Sequence, residues 1–121
     1  MTKFKKQEKN YSCGAAAVKN CIIALDRIEI SERRIRLMSK TTKEGVDDTS
    51  LISAIKNLGY NAEPFETKNS EVYKKYLIAG LSEGSKFVVM TDAFLHFVAL
   101  VDYKDKHFRF VDSAFNKILQ K

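Results

Sequence analysis

His96-Phe97-Val98-Ala99-Leu100-Val101-Asp102-Tyr103-Lys104-Asp105-Lys106-His107-Phe108-Arg109-Phe110-Val111-Asp112 is the stretch whose reading decides the fold. Residues 96–103 and 108–111 are rich in β-branched and aromatic side chains, and Lys104-Asp105-Lys106 between them suits a tight hairpin loop. A third β-rich run, Lys86 to Met90, precedes them. A hairpin of this length brings the start of the first strand beside the end of the second. His96 and Asp112 are therefore expected side by side at one end of the sheet.

Upstream of residue 86 the periodicity is helical. Residues 14–25 place Val18, Ile22 and Leu25 on one stripe, with Ala17, Cys21 and Ala24 beside it. Ser31 can cap a short helix carrying Ile35 and Met38. Asp48 or Thr49 can cap another, with Leu51, Ile52, Ile55 and Leu58 inward and Gly59 as its stop. Residues 60–66 suit a short extended segment, and Ser70 opens a further helix to about Leu81, with Val72, Tyr76, Leu77 and Ile78 as its apolar positions. Helices first and strands last predict an α+β domain, with N-terminal helices packed on a C-terminal antiparallel sheet.

At 121 residues the chain is expected to form one domain, residues 1–121. Its 45% apolar and 30% charged composition is that of a soluble globular protein, and no apolar run is long enough to span a bilayer. Met1-Thr2-Lys3-Phe4-Lys5-Lys6 is basic but lacks the apolar region of a secretory signal. The net charge of +6 is scattered among acidic residues, without aromatic–basic interleaving, so no nucleic-acid partner is expected. Cys13 and Cys21, on one helix, would stand roughly 12 Å apart along its axis, too far for a disulfide. Reduced thiols and no signal sequence point to the cytoplasm.

The chemistry-bearing positions are few. Cys13 falls just before a run of helix formers, where unpaired N–H groups and the helix dipole favour a thiolate, and Gly14 allows a substrate backbone to approach closely. Its other reading is a small buried residue. Cys21, mid-helix between Ala17 and Ala24, reads as core. A thiol nucleophile needs a base, and His96 with Asp112 across the hairpin can supply one, the carboxylate fixing the imidazole tautomer. Asp92 and Asp102 compete for that place, but Asp102 should lie well away along the strand. His107, beside the turn, is expected exposed and passive. Gln7 stands six residues before Cys13, placed to donate a side-chain N–H to an oxyanion beside the Cys13 backbone N–H. The cysteines and histidines lack the paired spacing of a zinc site, and no phosphate loop occurs.

Gln7-Glu8-Lys9-Asn10-Tyr11-Ser12-Cys13-Gly14-Ala15-Ala16, the segment from Gly45 through Gly59-Tyr60, His96-Phe97-Val98-Ala99-Leu100 and Val111-Asp112 occur in the order of one family. Together they resemble the double-glycine-leader peptidases, papain-like cysteine peptidases that mature bacteriocins and related secreted peptides. Members usually form the N-terminal domain of an export transporter. The resemblance implies a papain-like fold, cleavage after a Gly-Gly pair that ends a leader peptide, and no metal or cofactor. It implies Cys13 as nucleophile, His96 as general base and acid, Asp112 as orienter and Gln7 as oxyanion donor. Implied partners are a peptide or protein substrate and the membrane and ATP-binding domains of an ABC-type transporter, which would hold the domain at the cytoplasmic face of the membrane. The chain departs from the family pattern at Ser12, where aspartate is common, at Ser113, where proline is common, and at Lys86, where proline often opens the strand. Two alternatives share the scaffold: a papain-like isopeptidase or acyl transferase, and a non-catalytic domain that binds leader peptides.

Overall fold

The computed structural model describes residues 3–91, 96–114 and 117–120. Four helices precede four strands: α1 Cys13–Asp26, α2 Glu32–Met38, α3 Asp48–Asn57, α4 Ser70–Ser82, β1 Phe87–Thr91, β2 His96–Lys104, β3 His107–Asp112 and β4 Lys117–Gln120. The strands form one antiparallel sheet in sequence order. This is the α+β arrangement expected, with one strand more. The run Lys117-Ile118-Leu119-Gln120 is too short to show a period, and it becomes a strand by pairing with β3, Val111 against Ile118 and Asp112 against Lys117.

Helices lie on both faces of the sheet. On one face Cys21 of α1 packs with Val88, Ala99, Val101 and Val111. On the other, Leu77 and Leu81 of α4 pack with Phe87, Val89, Leu100 and Phe110. Phe97, at the start of β2, belongs to a third cluster with Ala15, Ala17, Val18, Ile22, Ile35 and Leu51, which joins α1 to α2 and α3. α1 is thus enclosed on all sides from Gly14 to Ile23. Its early alanines let neighbouring elements approach closely. The single apolar stripe expected for this helix is corrected at its end: the buried run stops at Ile23, and Leu25 is 40% exposed.

Local signals place most boundaries. The Ser31 side chain accepts from Arg34 N–H and starts α2. For α3 the cap is Asp47, one residue before the expected position, with its Oδ1 2.7 Å from Ser50 N. That bond holds the Asp47 carboxyl below the usual carboxylate range. Gly59, at φ 95, turns the chain out of the helix as expected. Asn69 caps α4 through bonds to Glu71 and Val72 N–H. Within α4 the buried residues are Leu77 and Leu81, whereas Val72 is exposed. Residues 60–66 form no strand. Phe65 from this segment instead stacks on Tyr76 of α4 at 3.7 Å between ring centroids.

The β2–β3 turn is Asp105-Lys106, both at positive φ (54 and 66), the backbone that lets a two-residue loop follow the twist of the strands. A bulge between Leu100 and Asp102 makes Val101 the extra residue of β2, and Val101 shares the α1 face with Ala99 by the strand's alternation. Lys86 Nζ donates to the Val101 carbonyl at 2.8 Å. The lysine that departs from the family pattern thus satisfies the backbone at the bulge.

Candidate active site

The β2–β3 ladder sets the first half of the site. Ala99 pairs with Val111, so the register continues to place Asp112 across from Val98, with His96 one diagonal step along the same face. The contact forms: His96 Nε2 lies 2.8 Å from Asp112 Oδ1. Both side chains are mostly buried, 25% and 12% exposed. A carboxylate only accepts, so Nε2–H donates, and Oδ1 also accepts the Ala114 backbone N–H at 3.0 Å. Two donors hold the carboxylate; the carboxylate in turn orients the ring.

The second half is the start of α1, where Cys13 is the first helical residue, half-buried and packed against the cluster that contains Phe97. A Cβ on Gly14 would stand 2.6 Å from Val46 Cγ1 and 3.3 Å from Phe97 Cδ2. A side chain there would force Val46 aside and crowd Phe97 of β2. The residues after Cys13 and His96 are therefore in contact, which brings the thiol-bearing helix end to the His96 end of the sheet. Ser12 makes no side-chain cap to the helix. Its buried hydroxyl bonds Lys9 instead, accepting from N–H at 3.0 Å and donating to the carbonyl at 2.9 Å. The first-turn N–H groups are left uncapped by Ser12, with the dipole's positive end beside Cys13.

Gln7 is held at both ends of its amide. Its Nε2 donates to the Lys9 carbonyl at 2.8 Å, and its Oε1 accepts from Ser113 Oγ at 2.9 Å. Its backbone N–H donates to the Ser113 carbonyl at 3.0 Å. A cleft of about 350 Å³ opens beside it, lined by Lys6, Gln7, Glu8, Lys9, Asn10 and Ala114.

The competing positions separate clearly. Asp102 lies toward the far end of β2, 3.7 Å from Arg109 Nη1. His107 is exposed at the turn. Asp92, the other candidate, lies outside the described residues. Cys21 is core, as expected, with Sγ 3.3 Å from the Phe87 carbonyl. Burial pushes its thiol up to about 12, although Lys86 pulls the other way. Iodoacetamide is therefore expected to leave Cys21 unlabelled at about pH 9 in the folded protein and to label it in denaturant. Peptide mass spectrometry reads both. The sign for stability follows. The thiol is neutral in both states well below the ordinary value of 9.0. Above it the unfolded chain loses the proton first, so stability falls as pH rises from about 9 toward 12.

Sequence reasoning missed two residues. Glu32, 1% exposed, accepts the Glu8 N–H at 2.9 Å and the Arg36 Nε–H at 3.1 Å, while Arg36 Nη2 reaches Glu8 Oε1 at 2.9 Å. The Glu32–Arg36 spacing was the one legible signal. Ser113 was visible only as a departure from a family pattern.

No curated protein matches the chain. Among solved structures it is similar to the peptidase domain of Streptococcus ComA, a bi-functional ABC transporter involved in a quorum-sensing pathway. Identity is 18%, the TM-score is 0.76, and the match covers 100% of this chain and 86% of that one. At that identity the likeness is one of fold, and it is the papain-like arrangement of helices on a C-terminal antiparallel sheet. The model of the Peptidase C39 family matches residues 1–121. A cysteine that opens the central helix beside a carboxylate-bound histidine suits that match, and the chain belongs to this family of cysteine peptidases.

Proposed function

We propose that residues 1–121 act as one catalytic domain that cuts a peptide after a Gly-Gly pair, with Cys13 as nucleophile, His96 as general base and acid, Asp112 as orienter and Gln7 as oxyanion donor. The observation that carries the assignment is the 2.8 Å contact between His96 Nε2 and Asp112 Oδ1 at the end of the sheet met by the Cys13 end of α1. With Nε2 turned to the carboxylate, Nδ1 takes the thiol proton. Cys13 Sγ bonds to the scissile carbonyl carbon, and the carbonyl π pair moves onto oxygen. The Cys13 backbone N–H and the second Gln7 Nε2–H receive that charge. The C–N bond then breaks as His96 protonates the leaving amine. Water, deprotonated by His96, releases the acyl group from sulfur. This chain needs no metal or cofactor for these steps.

The Gly-Gly preference rests on family membership. Likeness to a transporter's peptidase domain supports a role beside membrane and ATP-binding domains, at the cytoplasmic face of the membrane. No helix among the described residues is long and apolar enough to cross a membrane.

The test is a quenched fluorescent peptide carrying Gly-Gly before the scissile bond, with an Ala-Ala version as control. The expected product, by mass spectrometry, ends in the second glycine and is absent with His96→Ala. In parallel, iodoacetamide is expected to label Cys13 rapidly at about pH 7, and His96→Ala to slow that labelling. A wild-type protein that binds the peptide without cutting it would favour the leader-binding alternative. Transfer of the acyl group to added amines in preference to water would favour an acyl transferase.

A further inference from the structure

Four buried polar side chains converge on one short segment. Asn20, fully buried, accepts from Lys5 N–H at 2.8 Å and donates to the Lys5 carbonyl at 3.0 Å. Glu32, 1% exposed, takes the Glu8 N–H, and Ser12, fully buried, takes that of Lys9. Between them Ser113, 1% exposed, holds Gln7 twice, by its hydroxyl and by its carbonyl. Burying polar groups is costly unless each finds a partner. Here that polar burial immobilises residues 5–9, a stretch outside any helix or strand.

We infer that Ser113 is the positioning residue for Gln7: its hydroxyl donates to Gln7 Oε1 and pins the amide in the orientation that the Lys9 carbonyl sets, and so holds an N–H aimed at the developing oxyanion. The inference rests on the oxyanion role proposed for Gln7. The geometry leaves one orientation. The Lys9 carbonyl can only accept, so it takes Nε2–H. Oε1 can then only accept, so the Ser113 hydroxyl donates. With the amide pinned at both atoms, the second Nε2 hydrogen has a set direction before substrate arrives. Ser113 directly follows Asp112 in the chain. The β3 end that orients His96 thus also orients the oxyanion donor. A proline at residue 113 would supply the carbonyl but no hydroxyl, so this second tether is a feature of this chain.

The experiment compares Ser113→Ala, Gln7→Ala and the double variant, each checked for folding by circular dichroism. Two readouts are used: cleavage of the Gly-Gly fluorescent peptide and alkylation of Cys13 by iodoacetamide, a displacement that forms no oxyanion. Gln7→Ala is expected to lower kcat by about 10²-fold. Ser113→Ala is expected to lower kcat by about tenfold with little change in KM, as a misaimed donor would. Both leave the alkylation rate unchanged. In the Gln7→Ala background, Ser113→Ala is expected to cost nothing further. Ser113→Thr, which keeps the hydroxyl, restores most of the loss. An equal loss from Ser113→Ala with and without Gln7, or a fall in alkylation alongside turnover, would make Ser113 merely structural and overturn the inference. Full turnover in Ser113→Ala while Gln7→Ala is impaired would sink the inference alone. Full turnover in Gln7→Ala would remove the oxyanion role on which it rests. Should the peptide not be cut, the affinity of acetyl-Gly-glycinal decides the same points. Its carbonyl carbon bonds Cys13 Sγ, and its oxygen, carrying the displaced π pair, occupies the oxyanion position before protonation. Ser113→Ala weakens that adduct if the inference is right and leaves it unaltered if it is wrong.

Discussion

Cys13→Ala is expected to abolish cleavage of the Gly-Gly peptide, a loss of about 10⁶-fold that brings the rate to background, with the peptide still bound. The reason is chemical. In the proposed mechanism the Cys13 thiol forms the acyl intermediate, and alanine offers no nucleophile in its place. The fold should barely notice. Cys13 is half-buried at the first helical position, and the residue that needs its small size for packing is Gly14, not Cys13. A change in unfolding free energy within about 0.5 kcal/mol is expected by urea titration. Residual cleavage near the wild-type rate in Cys13→Ala would dismiss the thiol mechanism outright. Loss of folding together with activity would say that the cysteine is core, the reading its half-exposure argues against.

The largest stability effect is expected at Glu32. Its carboxylate is almost wholly buried, yet it bonds both the Glu8 backbone N–H and the Arg36 guanidinium. Glu32→Ala removes the acceptor and leaves two donors behind. Among the described residues Arg36 then keeps Glu8 as its counter-charge, and Glu8 is half-exposed. Breaking a buried pair from one side costs about 3 kcal/mol, a large share of the stability of a domain this size. Calorimetry should show Tm lowered by about 10 °C. Because Glu8 follows Gln7, kcat should fall as well, through loosening of residues 5–9. A Tm within about 1 °C of wild type would mean that water satisfies Glu8 N–H and Arg36 in place of the carboxylate.

Much of the fold was legible before any coordinates. The Ser31 cap, the Gly59 stop and the turn after Lys104 act over a few residues, and their physics is local. The alternation from 96 to 112 encoded more. Once two strands pair around a tight turn, which residues share an end follows from counting, so the His96–Asp112 contact was foreseeable. Other features could not be counted. β4 exists because β3 offers it an edge, and four residues carry too little pattern to announce it. The burial of α1 on every side from Gly14 to Ile23 depends on elements far along the chain closing over it.

The sequence by itself determined the reactive groups: a thiol at a helix start, an imidazole and carboxylate brought together by a hairpin, and an amide at a suggestive spacing from the thiol. Only the tertiary structure decided how that amide is held. Gln7 and Ser113 meet across 106 positions of sequence, and Glu8 meets Glu32 across 24. Hydrogen bonds between such distant residues leave no periodic trace. They exist because burial makes an unpartnered polar group costly, and which partner answers is settled only when the helices and the sheet close around residues 5–9.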